Sequence, residues 1–255
     1  MNNHESYLFD LQGFITVPNA LDAAQIASIN QIWDEKISQE ITPETATHRW
    51  GRVLQWGAPL LNLIDNPRIT PYLEELLGKN FRLDHDYADL IRKGKGPIGT
   101  RLHGGSTPFD PGQFYHFRNG RMYNGLSVVA YNLCDVNPGD GGFGCVPGSH
   151  KSNYPFPDEW KELEQFQPFM AAVTGPAGTA IIFTEALTHG TLPWQGAGER
   201  RTLFFKYSPF PISWAATYYN ADDYAGLNDA QRLILEPPNA RYRGRQENAS
   251  KIVNR

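Results

Sequence analysis

The sequence predicts a mainly β fold, a sandwich or jelly roll with α-helices packed outside it, on three observations. From Phe81 to about Ser208, short β-rich runs alternate with clusters of Gly, Pro, Asn and Asp. Turn-forming residues are abundant, with 24 glycines and 19 prolines in 255 residues. Amphipathic helical spacing is confined to the flanks of that region. At 40% hydrophobic and 20% charged residues the chain can bury a core, and without a low-complexity linker it reads as one domain over 1–255.

Gly13 to Pro18 reads as a first strand. Asp22 is the N-cap of a helix over about 23–37, because Ile26, Ile29, Trp33 and Ile37 recur at spacings of three and four. A second helix is expected to begin near Pro67, to carry Ile69, Leu73, Leu76 and Leu77 on one face, and to stop at Gly78. Strands follow at Phe81–Ile91, Leu126–Leu133, Phe143–Val146, Thr179–Phe183 and Thr202–Tyr207. A last helix over about Asn228–Leu235 is ended by Pro237-Pro238, and the basic tail Arg241–Arg255 is expected to fray.

Charge excludes several partners. Lysine and arginine number 23 against 27 acidic residues, a formal charge of -4, so no broad basic face for nucleic acid or anionic lipid is expected. The N-terminus lacks the basic and apolar regions of a signal peptide, and no apolar run nears the roughly 20 residues of a membrane span, which predicts a soluble cytoplasmic protein. Cys134 and Cys145 form no CxxC pair and are expected to be inert thiols.

The chemistry concentrates where histidines meet glycines. Two neutral imidazoles and a carboxylate on one face of a metal are the usual cage for non-haem Fe(II) in oxygenases, leaving adjacent positions open for cosubstrate and oxygen. His103 lies in Leu102-His103-Gly104-Gly105 and His189 in Thr188-His189-Gly190-Thr191. Eleven residues after His189, Arg200 opens a strand from which a guanidinium can grip a carboxylate bidentately, as the distal carboxylate of 2-oxoglutarate requires.

With these residues in view the chain resembles the phytanoyl-CoA dioxygenase-like Fe(II)/2-oxoglutarate enzymes over about residues 7–240. The resemblance is carried by Phe9-Asp10-Leu11-Gln12-Gly13-Phe14, by the glycine turn from Asp140 leading into Pro147-Gly148-Ser149-His150-Lys151, and by His189-Gly190-Thr191 with Arg200. It implies a double-stranded β-helix, a cupin-like jelly roll. It also implies Fe(II) on His103 and His189, 2-oxoglutarate on Arg200 with help from Thr191, O2 as oxidant and a small-molecule substrate.

One departure from the family pattern stands out. Its dioxygenases carry a carboxylate two residues after the first metal histidine, yet the residues two after the seven histidines here are Ser6, Trp50, Tyr87, Gly105, Arg118, Ser152 and Thr191. Related halogenases have Ala or Gly at this point and bind a halide instead. The resemblance therefore implies that Gly105 is a halide seat, with chloride as a further cofactor and aliphatic chlorination as the leading activity. Two alternatives stay open: hydroxylation with Asp110 or Glu185 supplying the third ligand, and a non-catalytic binding module.

Three other features bear on the site. His150 is read as structural, and alternation along Phe81–Ile91 places His85 opposite Asp84 and Asp86. The aromatic loop Ser106–Tyr123 follows the first ligand and is expected over the mouth, where Arg118 and Arg121 would meet an anionic group on the substrate. Asp158–Met170, with Trp160 and Phe166, is a second lid candidate in the form of a short helix. Nothing in the chain favours a carrier-tethered substrate over a free one.

Overall fold

The computed structural model describes residues 1–92, 101–162 and 167–240. Eleven strands are present among them: β1 (Phe14–Val17), β2 (Thr47–Gly51), β3 (Arg82–Ile91), β4 (Tyr115–Arg118), β5 (Arg121–Asn124), β6 (Ser127–Asn132), β7 (Gly142–Cys145), β8 (Ala171–Ala172), β9 (Ala180–Thr184), β10 (His189–Leu192) and β11 (Arg200–Ser208). A six-stranded sheet runs β1-β9-β6-β11-β3-β2, a smaller one runs β10-β7-β8, and β4-β5 form a hairpin. Every pairing is antiparallel, as a jelly roll requires.

The period of two in the strands separates two cores. Val128 and Ala130 of β6, Ile181 and Phe183 of β9 and Phe204 of β11 pack with Phe143 and Cys145 of β7. Their neighbours Val129, Tyr131, Ile182, Leu203 and Phe205 lie in a second cluster shared with the helices. Alternate residues of the large sheet thus face either the small sheet or the helical layer.

That layer contains α1 (Asn3–Gln12), α2 (Ala23–Glu40), α3 (Ala58–Leu61), α4 (Thr70–Leu77) and α5 (Asp229–Ile234). Asp22 caps α2 as expected, accepting from the backbone N–H of Gln25 at 2.8 Å, and Ile29 and Trp33 are buried. Asn228 caps α5 in the same way. The second predicted helix starts later than expected: Pro67 lies in a turn, with Asn66 accepting from Arg68 N–H at 3.0 Å, and Pro71 is the first-turn proline of α4. Helix α1 went unpredicted, although Asn2 and Glu5 form a capping box. The segment from Asp158, expected as a short helix, begins with one 3-10 turn, Asp158–Trp160, and its residues 163–166 lie outside the described ones. Phe166 and the tail from Arg241 lie outside the described residues. No helix among the described residues is long and apolar enough to cross a membrane.

His150 ties this frame together. Its Nε2 lies 3.0 Å from the Asp10 carbonyl, its ring meets Tyr115 edge-on at 4.6 Å, and a Cβ on Gly13 would come within 2.6 Å of its Nδ1. Burial, with Lys151 beside it, pushes its pKa down to about 4. An unfolded histidine takes up a proton near pH 6.5, so between there and pH 4 the unfolded chain binds the extra proton and stability falls as pH falls. Denaturant titrations over that window should show a loss of up to about 3 kcal/mol, flattened in His150→Gln.

Candidate metal centre and its cavity

His103 and His189, 86 positions apart in the chain, pair as an isolated antiparallel bridge. Each backbone N–H donates to the other's carbonyl at 2.9 Å, which places both side chains on one face with ring centroids 4.3 Å apart. The pairing depends on Gly104. A Cβ there would lie 2.5 Å from the Leu187 carbonyl oxygen and 2.7 Å from that of Glu185, and its φ of +79° also favours glycine. Gly104→Ala is expected to push the two segments apart, costing on the order of 1–3 kcal/mol and weakening metal binding. Thermal melts and a metal titration of that variant measure both effects.

Glu185 completes the cluster. After β9 the chain turns back on itself, with Leu187 N–H donating to the Thr184 carbonyl at 2.9 Å, and this tight turn brings Glu185 beside His189. Ligand atoms of His103, Glu185 and His189 all lie within 4.8 Å of one another. Both imidazoles are oriented alike: Nδ1 of His103 lies 3.0 Å from the Arg101 carbonyl and Nδ1 of His189 lies 2.7 Å from that of Leu187. A carbonyl only accepts, so each Nδ1 carries a proton and Nε2 is the nitrogen turned toward the cluster.

Electrostatics prepare the same groups. Burial and the neighbouring His103 push the pKa of His189 to about 3, which keeps its ring neutral. Burial alone would raise the pKa of Glu185, but the Lys206 ammonium, 2.5 Å from Oε1, is the largest of the influences that hold the carboxyl below the usual carboxylate range. Two imidazoles and an ionised carboxylate form a donor set that suits Fe(II).

The cluster opens onto a cavity of about 380 Å3. Alternation along β11 turns Arg200, Phe204 and Lys206 into it, and alternation along β3 adds His85, Tyr87 and Asp89. Tyr87 stacks on Phe204 at 4.7 Å, and His85 stacks on Trp214 at 5.3 Å. Arg49 is held bidentately by Asp89 at 2.6 and 2.5 Å and lies over the Tyr87 ring. Arg200 differs: it is 1% exposed, and its Nε and Nη1 have no partner among the described residues. A buried guanidinium with unused donors, in a cavity also lined by Thr191, fits a carboxylate ligand.

Other expected site residues lie elsewhere. Gly105 has a φ of +107°, and a Cβ on it would point at Thr188 Oγ1, 3.2 Å away. It lines a neighbouring hollow with Pro147, Ser149 and Trp160, not the cavity of the histidines. The carboxylate of Asp110 closes a local turn onto Gly112 N–H at 2.7 Å. Arg118 and Arg121 face each other across the exposed β4–β5 hairpin and do not line the cavity, whereas Gln113 of the same loop does. Cys145 is buried, which raises its thiol pKa to about 12. The alternation that separates Asp84 from His85 is broken by a β-bulge, since consecutive residues Lys206 and Tyr207 pair with His85 and Leu83. Asp84 Oδ1 thereby reaches His85 Nδ1 at 2.8 Å.

The family profile described as Phytanoyl-CoA dioxygenase (PhyH) matches residues 95–202, a span that includes His103, Glu185, His189 and Arg200. No curated protein matches the chain in sequence. Among solved structures, HygX from Streptomyces hygroscopicus with nickel and 2-oxoglutarate bound superposes with a TM-score of 0.76 at 21% identity, over 89% of this chain and 95% of that one. The non-heme alpha ketoglutarate dependent carbocyclase SnoK from nogalamycin biosynthesis gives 0.62 at 16% identity, over 83% and 85%. The epimerase SnoN, in complex with Fe3+, alpha ketoglutarate and nogalamycin RO, gives 0.61 at 17% identity, over 82% and 83%. The fold of this chain is the jelly roll that these structures share.

Proposed function

We propose that the protein is an Fe(II)- and 2-oxoglutarate-dependent oxygenase that oxidises a C–H bond of a small molecule. The observation that carries this reading is the convergence of His103, His189 and Glu185 in one cavity with the unpartnered guanidinium of Arg200. His103, His189 and Glu185 would hold the metal, and Arg200 with Thr191 would hold the distal carboxylate of 2-oxoglutarate. Bound iron and 2-oxoglutarate supply the activation of O2 and the oxidising equivalents for C–H cleavage. The chain's own part is to keep the His189 imidazole neutral, to fix both rings through Nδ1, to keep Glu185 ionised, and to shield the centre behind Phe143, Phe183 and Phe204. The substrate would approach past the exposed His103 and the half-exposed indole of Trp214. Structures similar to this one have hygromycin B and nogalamycin RO bound, which supports a ring-bearing natural product as the substrate class. Arg118 and Arg121 stand at the outer hairpin, where they would meet an anionic group on a larger substrate.

Hydroxylation is the outcome favoured by Glu185, because a carboxylate already within reach fills the position that a halide would need. The absence of a carboxylate two residues after His103 favours a second reading, chlorination. One experiment addresses both. The protein is incubated with Fe(II), 2-oxoglutarate, O2, chloride and a panel of ring-bearing natural products. Succinate with an oxygen-bearing product is the expected result, and a chlorinated product transfers the assignment to the second reading. No anaerobic visible charge-transfer band with Fe(II) and 2-oxoglutarate, and no succinate, would overturn the whole proposal and leave a binding module.

A further inference from the structure

We propose that Lys206 is the positioning residue of the metal centre, holding Glu185 so that a single carboxylate oxygen faces the histidines. The inference rests on Glu185 being a metal ligand. The two oxygens have separate surroundings: Oε1 takes the Lys206 ammonium at 2.5 Å, while Oε2 lies 3.9 Å from Nε2 of His189. Nδ1 of that imidazole is committed to the Leu187 carbonyl, so Nε2 and Oε2 are left to converge on a metal. A carboxylate with no such partner can present both oxygens to a cation. Lys206 occupies one of them.

Lys206 is not free to leave. Its side chain is 13% exposed, lies over the Tyr87 ring at 5.5 Å and projects from β11 opposite His85 of β3. The other acidic side chain lining the cavity, Asp89, is bound bidentately by Arg49. An ammonium buried in this way is costly unless paired, so its bond to Glu185 persists. A ligand held through one oxygen leaves one more coordination position than a chelating carboxylate would. Methionine at position 206 would fill much the same volume without donating a hydrogen bond.

The test uses the full-length protein and Co(II) alone, whose visible bands weaken as coordination number rises. In Lys206→Met the freed Oε1 should join the metal, so the coordination number rises and the bands weaken. The spectrum decides: bands identical to those of the wild type would make Lys206 a bystander counter-ion and overturn the proposal. Lys206→Ala is read in the same way should the methionine variant fail to fold, with circular dichroism as the check. A parallel Glu185→Ala variant separates the two levels. It should bind Co(II) at least tenfold more weakly, and affinity equal to the wild type would remove Glu185 as a ligand and the role of Lys206 with it.

Discussion

His189→Ala should lower metal affinity at least about 100-fold, beyond the 10- to 100-fold range seen when only an outer-shell partner is removed. Succinate formation from 2-oxoglutarate should fall below detection. The imidazole is buried, its Nδ1 is bonded to Leu187, and it packs against Phe183 at 4.7 Å and Phe143 at 5.9 Å, so no other side chain can take its place. His103, more exposed, should show the same loss of metal with less effect on stability, because little packing is removed with it. Titration with Fe(II) or Co(II) measures the first effect and thermal melts the second. Retained affinity in His189→Ala would place the metal elsewhere.

Arg200→Met should change two quantities in opposite directions. Arg200 is buried with two nitrogens unpartnered, and that burial already pulls its pKa below the usual arginine range. Without 2-oxoglutarate the charge is a liability, so the methionine variant should be more stable by roughly 1–3 kcal/mol, a rise in Tm of about 2–4 °C for each kcal/mol. With 2-oxoglutarate bound as proposed, the same guanidinium would be the counter-ion for a carboxylate. Its removal should weaken cosubstrate binding on the order of 100-fold, equivalent to about 3 kcal/mol. Calorimetric titration and melting curves with and without 2-oxoglutarate test both. A variant that binds 2-oxoglutarate as the wild type does would take the carboxylate grip away from Arg200.

The elements legible in the sequence were those with a local physical signal. Asp22 announced its helix through capping, Pro237-Pro238 marked the end of the last one, and the strands containing Val128, Ile181 and Phe204 announced themselves as β-rich runs between turns. Two such signals were present and passed over: the Asn2–Glu5 capping box of α1, and Asn119-Gly120, a turn with φ values of +54° and +73° that sets the β4–β5 hairpin. Strand β10 is four residues long with a glycine in it, and it exists because β7 pairs with it.

At the site, His103, His189 and Arg200 are what the family resemblance implies, and Glu185 is an alternative that the residues alone leave open. Its nearness to His103 is set by a bridge between distant segments, which no local pattern encodes. Lys206 shares the parity of Arg200 along β11, but a lysine directly after Phe204-Phe205 reads as the solvent-facing residue of its strand. Gly105 attracted attention for the side chain it lacks. Its neighbour Gly104 is the residue on which backbone approach depends.

Two of the three proposed ligands come from one five-residue stretch, Glu185 to His189, while His103 lies 86 positions before His189. A metal bound here acts as a cross-link. It would join the ends of a loop whose closure carries an entropy cost of roughly 4 kcal/mol, alongside the His103–His189 bridge that spans the same two segments. Metal binding should therefore be linked to folding by mass action, raising Tm with the logarithm of free metal concentration. The segments on either side of this clasp should show the largest gain in hydrogen-exchange protection.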